Sequence, residues 1–416
     1  MWDRCTSRTS VLSGPLPWPS STLPNPLESA EGAHAVLELT EEHEIFRKTV
    51  RDLVAEHIEP FADEWEAEGA FPAHSLFRRF GDLGLLGLEY DTDDGGGGAD
   101  HIFTMILGEE VGRCSSLGVA MALAVQTDMA TPSLARFGSS ELKERFLRPA
   151  IAGSMVTSIA VSEADAGSDV AGISTRAQRD GDEWVINGSK MWITNGVQAD
   201  WLCLLARTSD EGGWRGMSQI VVPTDLDGFT VSRNLDKLGM RASDTAELSF
   251  VDVRVPVANT IGEIGQGFQQ QMAQFQNERL IAGYQLVGAI ETALERTVEH
   301  VRNRRAFGGV LADNQVIQYE LADIAAELDM LRHHHWATVV AVRCGEDITR
   351  HATVSKLKSA RLARRMADAA VQFHGGMGYV EELWPARFFR DTRLWSIGGG
   401  ADEVMLRTLA RDIGVA

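Results

Sequence analysis

The feature that most constrains the fold of this chain is a change in the spacing of its apolar residues, which occurs twice. Over residues 37–153 they recur every three or four positions, which predicts helices. Over residues 159–255 they form short runs punctuated by Gly, Asp and Pro, which predicts antiparallel strands. The helical spacing then returns, with one long helix expected over residues 268–303. The chain is therefore predicted to be mainly α with a central β domain: an N-terminal helical domain, an antiparallel β-barrel-like domain and a C-terminal four-helix bundle.

These changes of spacing also predict where the domains begin and end. We expect an N-terminal helical domain at residues 37–155, a middle β domain at 156–266 and a C-terminal helical bundle at 267–416. Residues 1–36 are rich in Ser, Pro and Thr and are expected to be a disordered or processed segment, with a transit peptide left open. Within the β domain, Asn187-Gly188 is expected to form the turn of a hairpin.

Composition excludes several classes of function. The 416 residues carry a formal net charge of −20, which argues against binding to nucleic acid because phosphate neutralisation needs clustered cations. The cysteines Cys5, Cys114, Cys203 and Cys344 are scattered, which argues against a disulfide framework or a zinc site and favours a reducing compartment. No apolar run is long enough for a membrane span, and no metal site is expected. The cytoplasm is the expected location, with the mitochondrial matrix less favoured.

Two segments have the residue types of a ligand site. Residues 161–169 combine small residues, hydroxyls and a glycine, which permit close backbone approach to a flat or phosphorylated ligand. Trp192 and Thr194 are two positions apart and are expected on one face of a strand, where an indole can pack on a ring system and a hydroxyl can bond a ring nitrogen. Taken alone, the first segment is equally compatible with a structural loop, and the second favours a core tryptophan in a hairpin.

Taken together, these segments resemble the acyl-CoA dehydrogenase family of flavoproteins. The similarity extends from about Leu37 to the C-terminus and includes motifs at residues 237–241, 243–245, 253–256, 265–268, 278–279, 304–308, 315 and 372–378. Several separate motifs in the same order are far more specific than a single pattern. No glycine-rich G-x-G-x-x-G turn follows a strand, so a Rossmann-bound flavin is not expected.

The resemblance implies FAD as cofactor and assigns residues to it. The flavin side of the site would be formed by Val161, Ser162, Ser168, Trp192 and Thr194. The adenine and pyrophosphate would be contacted from a neighbouring subunit by Arg304, Phe307, Gln315, Gln372, Gly375 and Gly376. A cofactor shared between subunits implies an oligomer, usually a homotetramer in this family.

The resemblance also implies the catalytic base. Removal of an α-proton beside a thioester needs a carboxylate in an apolar pocket. Many relatives carry that Glu in the loop before the last helix, but the matching residue here is Gly399. A second placement in the family, as in isovaleryl-CoA and long-chain acyl-CoA dehydrogenases, matches Glu278 on the long helix. Its spacing alone would favour an ordinary surface carboxylate, but because Gly399 occupies the alternative position, Glu278 is the predicted base.

Further positions bear on the substrate. The backbone N–H of Gly399 is expected to polarise the thioester carbonyl, while Ser168 and Arg279 are expected beside the substrate, with Arg279 orienting the junction of helix and loop. Gly398 stands where straight-chain relatives often have Tyr, which favours a branched or bulky acyl chain, and Ala401 removes one hydroxyl contact to the flavin. The pocket floor is expected around residues 119–129.

The predicted function is therefore FAD-dependent oxidation of an acyl-CoA to the trans-2-enoyl-CoA, with an electron-transfer flavoprotein as acceptor. Two alternatives remain open: an acyl-CoA oxidase that uses O₂, and a non-catalytic relative that only binds flavin or acyl-CoA.

Overall fold

The N-terminal part of the fold is a set of helices. A computed structural model describes residues 39–416, which form one compact unit; the predicted segment 1–36 and Cys5 lie outside the described residues. The first helix begins at a capping box in which Thr40 and His43 bond each other's backbone N–H groups. The helices are α1 (Glu41–His57), α2 (Ala62–Glu68), α3 (Ala73–Asp82), α4 (His101–Gly112), α5 (Leu117–Ala124), α6 (Pro132–Phe137), α7 (Ser140–Leu142) and α8 (Arg148–Ile151), with π-helical turns at Val125–Met129 and Lys143–Leu147.

The middle part is one mixed sheet. Its strands are β1 (Thr157–Ala160), β2 (Arg176–Asp180), β3 (Glu183–Thr194), β4 (Trp201–Arg207), β5 (Met217–Pro223), β6 (Phe229–Asn234) and β7 (Thr245–Pro256). They lie in the order β1-β4-β2-β3-β7-β6, with β5 beside β4. Most pairings are antiparallel as predicted, but β1–β4 and β2–β4 are parallel.

The predicted hairpin turn at Asn187-Gly188 is wrong. Strand β3 passes straight through these residues and stays paired with β7, with only a shift of register between Ile186 and Gly188. The turn that joins β2 to β3 lies earlier in the chain and includes Gly181, whose φ of +62° is in the left-handed region that favours glycine. The Asn187-Gly188 pair therefore coincides with a register shift inside a long strand. A glycine within a strand often marks such an irregularity.

The C-terminal part is a layer of long helices. They are α9 (Gly267–Asn303), α10 (Gln315–Arg343), α11 (Thr349–His374), α12 (Trp384–Thr392) and α13 (Asp402–Asp412), and a short hairpin of β8 (Arg305–Ala306) and β9 (Gly309–Val310) joins α9 to α10. Helix α9 packs against α10 and α11, while α12 and α13 pack against α11. The fold class predicted from the sequence is confirmed, and the predicted domain boundaries stay predictions. None of the described helices is long and apolar enough to cross a membrane.

Helix α9 also contacts α4, and glycines allow the two backbones to meet. A Cβ placed on Gly288 of α9 would lie 1.9 Å from the carbonyl oxygen of Glu109 in α4. A Cβ on Gly112 of α4 would lie equally close, at 1.9 Å, to the carbonyl oxygen of Gln285 in α9. Because a backbone atom cannot move aside as a flexible side chain can, both positions need glycine.

We predict that Gly288→Ala separates these helices and lowers the free energy of unfolding by about 1–3 kcal/mol, as overpacking does. Alanine is otherwise the better helix former, so a loss of stability would identify the close contact as its cause. Denaturant unfolding followed by circular dichroism measures the change. Gly212→Ala, which adds a methyl group in open space, is the matched control. Equal stability of the two variants would contradict the prediction.

Candidate active site

A buried carboxyl group lies near the start of α9. The Glu278 side chain is among the buried polar groups of the protein, with 7% of its surface exposed. Its Oε1 atom accepts long hydrogen bonds from the side-chain amides of Gln271 and Gln274, each at 3.4 Å. These glutamines precede it by two turns and one turn of the same helix, so all three side chains lie on one helix face.

Each glutamine is held by a different part of the chain. The Gln271 Oε1 atom accepts a hydrogen bond from Gln219 of β5 at 2.9 Å. The Gln274 amide donates to the carbonyl oxygen of Met129, and its Oε1 atom accepts from the Ser133 hydroxyl at 2.5 Å. The surroundings of Glu278 are therefore fixed jointly by the N-terminal helices, the sheet and α9.

This environment favours the neutral form of Glu278. Burial raises the pKa of the carboxyl to about 8, although the Gln274 amide and the Arg279 charge lower it in part. The negative charge of Asp128 raises it further. Cys203 of β4 lies near enough to Glu278 for the two groups to interact. Burial, and after it the charge of Glu278, raises the pKa of the Cys203 thiol to about 12. A carboxyl with a pKa near neutrality is suited to general acid–base chemistry.

The glycine loop before α13 lies against the same turn of α9. A Cβ placed on Gly400 would lie 3.8 Å from the Arg279 guanidinium, and the Gly400 carbonyl oxygen accepts a hydrogen bond from Lys356 of α11. Asp402, at the start of α13, bonds Arg361 at 3.2 Å. Gly399 has a φ of +65°, and a Cβ there would meet nothing within 4 Å. The loop is thus anchored on both sides and leaves open space at Gly399.

Arg279 is short of partners for a partly buried cation. Its only side-chain hydrogen bond among the described residues is to Gln276 at 3.3 Å, and its Nε atom is buried without an acceptor. Burial lowers the pKa of the guanidinium despite the nearby charge of Glu278. Buried donors of this kind are usually satisfied by protein, water or ligand, so the geometry suits a ligand contact.

The segment 161–169 is attached to the sheet by a buried ion pair. Lys190 of β3, whose side chain is fully buried, donates to the Val161 carbonyl at 2.8 Å and to Glu163 at 2.9 Å. Glu163 also accepts from the backbone N–H groups of Ser174 and Thr175 at 2.6 and 2.9 Å. Burial alone would raise the pKa of Glu163, but Lys190 and these donors outweigh it and lower it to about 2.

This anchoring places the segment next to α9. Val161 belongs to a small apolar cluster against which Phe268 and Phe275 of α9 pack. The Ser162 carbonyl oxygen accepts a hydrogen bond from the backbone N–H of Met191 in β3 at 2.9 Å. Ser162 and Ser168 are therefore on a segment that follows β1 and is held between β3 and the first turns of α9.

Of the two strand residues predicted to contact a ring system, Trp192 is exposed and Thr194 is half-buried. Trp192 has a φ of +61° and 55% of its surface exposed, which is unusual for a tryptophan in a sheet. The register of β3 against β7 shifts between Lys190 and Ile193, where the pairing resumes, and Thr194 lies opposite Thr245. This bulge interrupts the regular alternation, so a shared face for Trp192 and Thr194 stays a prediction. The exposed indole is available to pack on a planar group.

A second set of predicted cofactor residues lies at the far end of the bundle. Stacking of His300 on His374, with ring centroids 3.9 Å apart, joins the ends of α9 and α11 there. Phe307, with a φ of +51°, is fully exposed at the tip of the β8–β9 hairpin. The other members of the set are also exposed, namely Arg304, Gln315, Gln372, Gly375 and Gly376.

The two sets are far apart in one chain. Arg304 ends α9 and lies roughly 39 Å along the helix from Glu278, at 1.5 Å per residue. A Cβ on Gly375 or Gly376 would meet nothing within 4 Å, so both leave open space for a ligand to approach the backbone. The structure thus does not bring these residues to the Glu278 site of the same subunit.

Sequence reasoning missed three residues of this site. Gln271 and Gln274 precede Glu278 by spacings that put them on its helix face, and that spacing could have identified them. Asp128 lies in the segment expected to form the pocket floor, but its effect on Glu278 depends on a contact between distant parts of the chain. No local pattern reveals that contact.

A buried carboxyl with a raised pKa, on the turn of α9 whose next residue, Arg279, lies against the glycine loop, defines a candidate acid–base enzyme. Comparison with known proteins identifies the family. Models of the acyl-CoA dehydrogenase N-terminal, middle and C-terminal domains match residues 40–154, 158–253 and 265–414. The chain therefore belongs to the acyl-CoA dehydrogenase family, which makes it an oxidoreductase with FAD as its cofactor, as predicted.

Individual relatives agree along nearly the whole chain. A probable acyl-CoA dehydrogenase of Bacillus subtilis is 36% identical over 378 residues, which cover 90% of this chain and 99% of the relative. The short-chain specific acyl-CoA dehydrogenase of rat mitochondria is 35% identical over 375 residues, covering 90% of each chain. The crystal structure of a probable acyl-CoA dehydrogenase from Mycobacterium abscessus superposes with a TM-score of 0.87 at 39% identity, covering 90% of this chain and 99% of that one.

We predict that Lys190→Met destabilises the protein by about 3–5 kcal/mol, because it leaves the Glu163 carboxylate buried without its counter-charge. The double variant Glu163→Gln/Lys190→Met removes both charges and should lose less stability. Denaturant unfolding at neutral pH measures both losses. If the double variant is as unstable as the single one, the unpaired charge is not the cause.

Proposed function

We propose that this enzyme oxidises an acyl-CoA thioester to the trans-2-enoyl-CoA, with Glu278 as the base that removes the α-proton. The observation that carries the proposal is the burial of Glu278, which raises the pKa of its carboxyl to about 8 on the turn of α9 that lies against the glycine loop through Arg279. A base with that pKa is partly ionised at neutral pH and stronger than an ordinary carboxylate, which suits removal of a proton from carbon acidified by a thioester.

The chain's own residues account for the proton and for the developing charge. The Glu278 carboxylate takes the α-proton onto an oxygen atom as the electron pair of that C–H bond moves toward the thioester carbonyl. The backbone N–H of Gly399 polarises that carbonyl, and the neighbouring Arg279 guanidinium supplies positive charge. FAD, held by Trp192, Thr194 and the segment 161–169, would supply the acceptor for the hydride that leaves the β-carbon as the double bond forms.

Trp192, Thr194 and the segment 161–169 have the chemistry expected at the flavin end of the cofactor. The exposed Trp192 indole offers a flat surface, and Thr194 offers a hydroxyl. Val161, Ser162 and Ser168 lie on the anchored segment between this strand and α9. We propose that Val161, Ser162 and Ser168 contact the flavin or the thioester side of the substrate.

The second set belongs to a partner subunit's cofactor in this proposal. Roughly 39 Å of helix separates Arg304 from Glu278 of the same subunit. The exposed Arg304, Phe307, Gln315, Gln372, Gly375 and Gly376 would therefore contact FAD across a subunit interface, in a homotetramer. The glycines permit close approach of phosphate to the backbone.

The substrate and electron acceptor are the finer parts of the proposal. A Cβ placed on Gly398 would meet only Leu394, at 3.6 Å from the nearest side-chain atom, so room exists for a branched or bulky acyl chain near the β-carbon. Electron-transfer flavoprotein is the proposed acceptor and the cytoplasm the proposed location. Formation of hydrogen peroxide in stoichiometric amounts during turnover would instead identify an acyl-CoA oxidase.

We predict that Glu278→Gln retains FAD but is not bleached when acyl-CoAs are added without oxygen, since an amide cannot take the α-proton. Loss of one essential base is expected to slow flavin reduction at least 100-fold, within the range for general-base catalysis of about 10²–10⁴. Stopped-flow absorbance of the flavin measures the rate.

Glu295→Gln, on the same helix but exposed, is the matched control and should react as the wild type does. Normal bleaching of Glu278→Gln would contradict the assignment of the base. Absence of bleaching in the wild type with straight and branched acyl-CoAs alike would instead favour a non-catalytic binding protein.

A further inference from the structure

A cavity adjoins the turn of α9 that carries Glu278. Asn277, Leu280 and Ile281 of α9 form one wall, and Asp128 in the π-helical turn after α5 lies in another. The remaining lining residues come from the segment 85–90, from α4, from Thr127 beside Asp128, from Pro132 of α6 and from Tyr284 in the next turn of α9. Its position beside the proposed base makes it the candidate space for the acyl chain.

Most polar groups in this lining are paired with one another. The His101 Nδ1 atom bonds Glu89 at 2.7 Å, and its Nε2 atom bonds the Tyr284 hydroxyl at 2.9 Å. The Tyr90 hydroxyl donates to the Thr127 carbonyl oxygen at 2.7 Å. These groups need nothing from a ligand.

Asp128 is the exception. The only hydrogen bond that it receives from the described residues comes from the hydroxyl of its neighbour Thr127, which reaches one carboxyl oxygen. The other oxygen has no partner among those residues, and the cavity lining contains no Lys or Arg. Burial raises the pKa of Asp128 to about 7, and the nearby charge of Glu89 also raises it. One oxygen of Asp128 thus has no donor among the described residues, although the charge of His101 lowers the pKa of the carboxyl in part, and a ligand in the cavity could supply that donor.

A purely hydrocarbon chain would leave this acceptor unsatisfied. Covering a carboxyl oxygen with apolar atoms removes its water without replacing the hydrogen bond, which is unfavourable. A chain that ends in a carboxylate would be repelled, because the carboxyl groups of Asp128, Glu89 and Glu278 already lie near the cavity. A hydroxyl or an ammonium group would satisfy the free oxygen.

We propose that the acyl chain of the substrate carries a hydrogen-bond donor, a hydroxyl or an ammonium group, which binds Asp128. The proposal rests on the acyl-CoA dehydrogenation described above and specifies its substrate class. Gly398 would leave room near the β-carbon, while Asp128 would recognise the distal part of the chain.

The test compares length-matched acyl-CoAs that differ only at the chain end, bearing an ethyl, hydroxymethyl, aminomethyl or carboxyl group. Anaerobic flavin bleaching at limiting acyl-CoA gives the second-order rate constant of flavin reduction for each member of a series of chain lengths. At the best length, the hydroxyl or amino compound should exceed the plain one by about tenfold or more, since a site built for a donor rejects a chain that lacks it. The carboxyl compound should react least.

Two variants separate recognition from folding. Asp128→Leu should reverse the preference toward the plain chain, whereas Asp128→Asn, which keeps an acceptor oxygen but not the charge, should keep the hydroxyl preference and lose the amino preference. Retained FAD absorbance shows that each variant is folded. Asp225→Leu, at an exposed loop position, is the control and should keep the wild-type order.

These measurements distinguish a failure of the Asp128 proposal from a failure of the proposed dehydrogenation. Equal rates for plain and donor-bearing chains in the wild type, unchanged in Asp128→Leu, would overturn this inference and leave the dehydrogenation intact. Absence of bleaching with every compound would overturn both.

Discussion

The burial of one carboxyl group at the meeting point of three parts of the chain is the constraint on which the site depends. Glu278 lies on a helix, but its neighbours Gln271 and Gln274 are fixed by Gln219 of the sheet and by Met129 and Ser133 of the N-terminal helices. A shift of any of these parts would change the polarity around the carboxyl. The chemistry therefore depends on packing between distant segments as much as on the base itself.

Other buried charges in the protein show how differently burial can act. Glu163 is also buried, yet Lys190 and two backbone N–H groups keep it ionised. The resulting ion pair attaches the 161–169 segment to the sheet. Among the residues that the structure describes, Glu278 receives only two long amide hydrogen bonds, so desolvation prevails and its pKa rises. The number and charge of the donors, rather than burial alone, distinguish an anchoring carboxylate from a candidate base.

Much of the architecture was predictable because it depends on local periodicity. The helix expected over residues 268–303 is observed from Gly267 to Asn303, and the change to strands falls where the spacing changes. The absence of a turn at Asn187-Gly188 was not predictable, since pairing of β3 with β7 outweighs the local turn preference. Ordered motifs identified the family and singled out Glu278, whereas the environment of Glu278 and the proposed role of Asp128 arise from long-range contacts that no local pattern contains.

The pH dependence of flavin reduction at limiting acyl-CoA tests the role of Glu278 most directly, because it reports the ionisation of the free enzyme. Since the base must be deprotonated, the rate should rise with pH and level off above a pKa of about 8. Gln271→Met removes an amide donor that stabilises the carboxylate, so the rise in rate should move to higher pH. Gln269→Met, at an exposed position of the same helix, should leave the rise where it is. A rise in rate with a pKa near that of an ordinary carboxyl group, unchanged in Gln271→Met, would contradict the claim that the environment of Glu278 sets its reactivity.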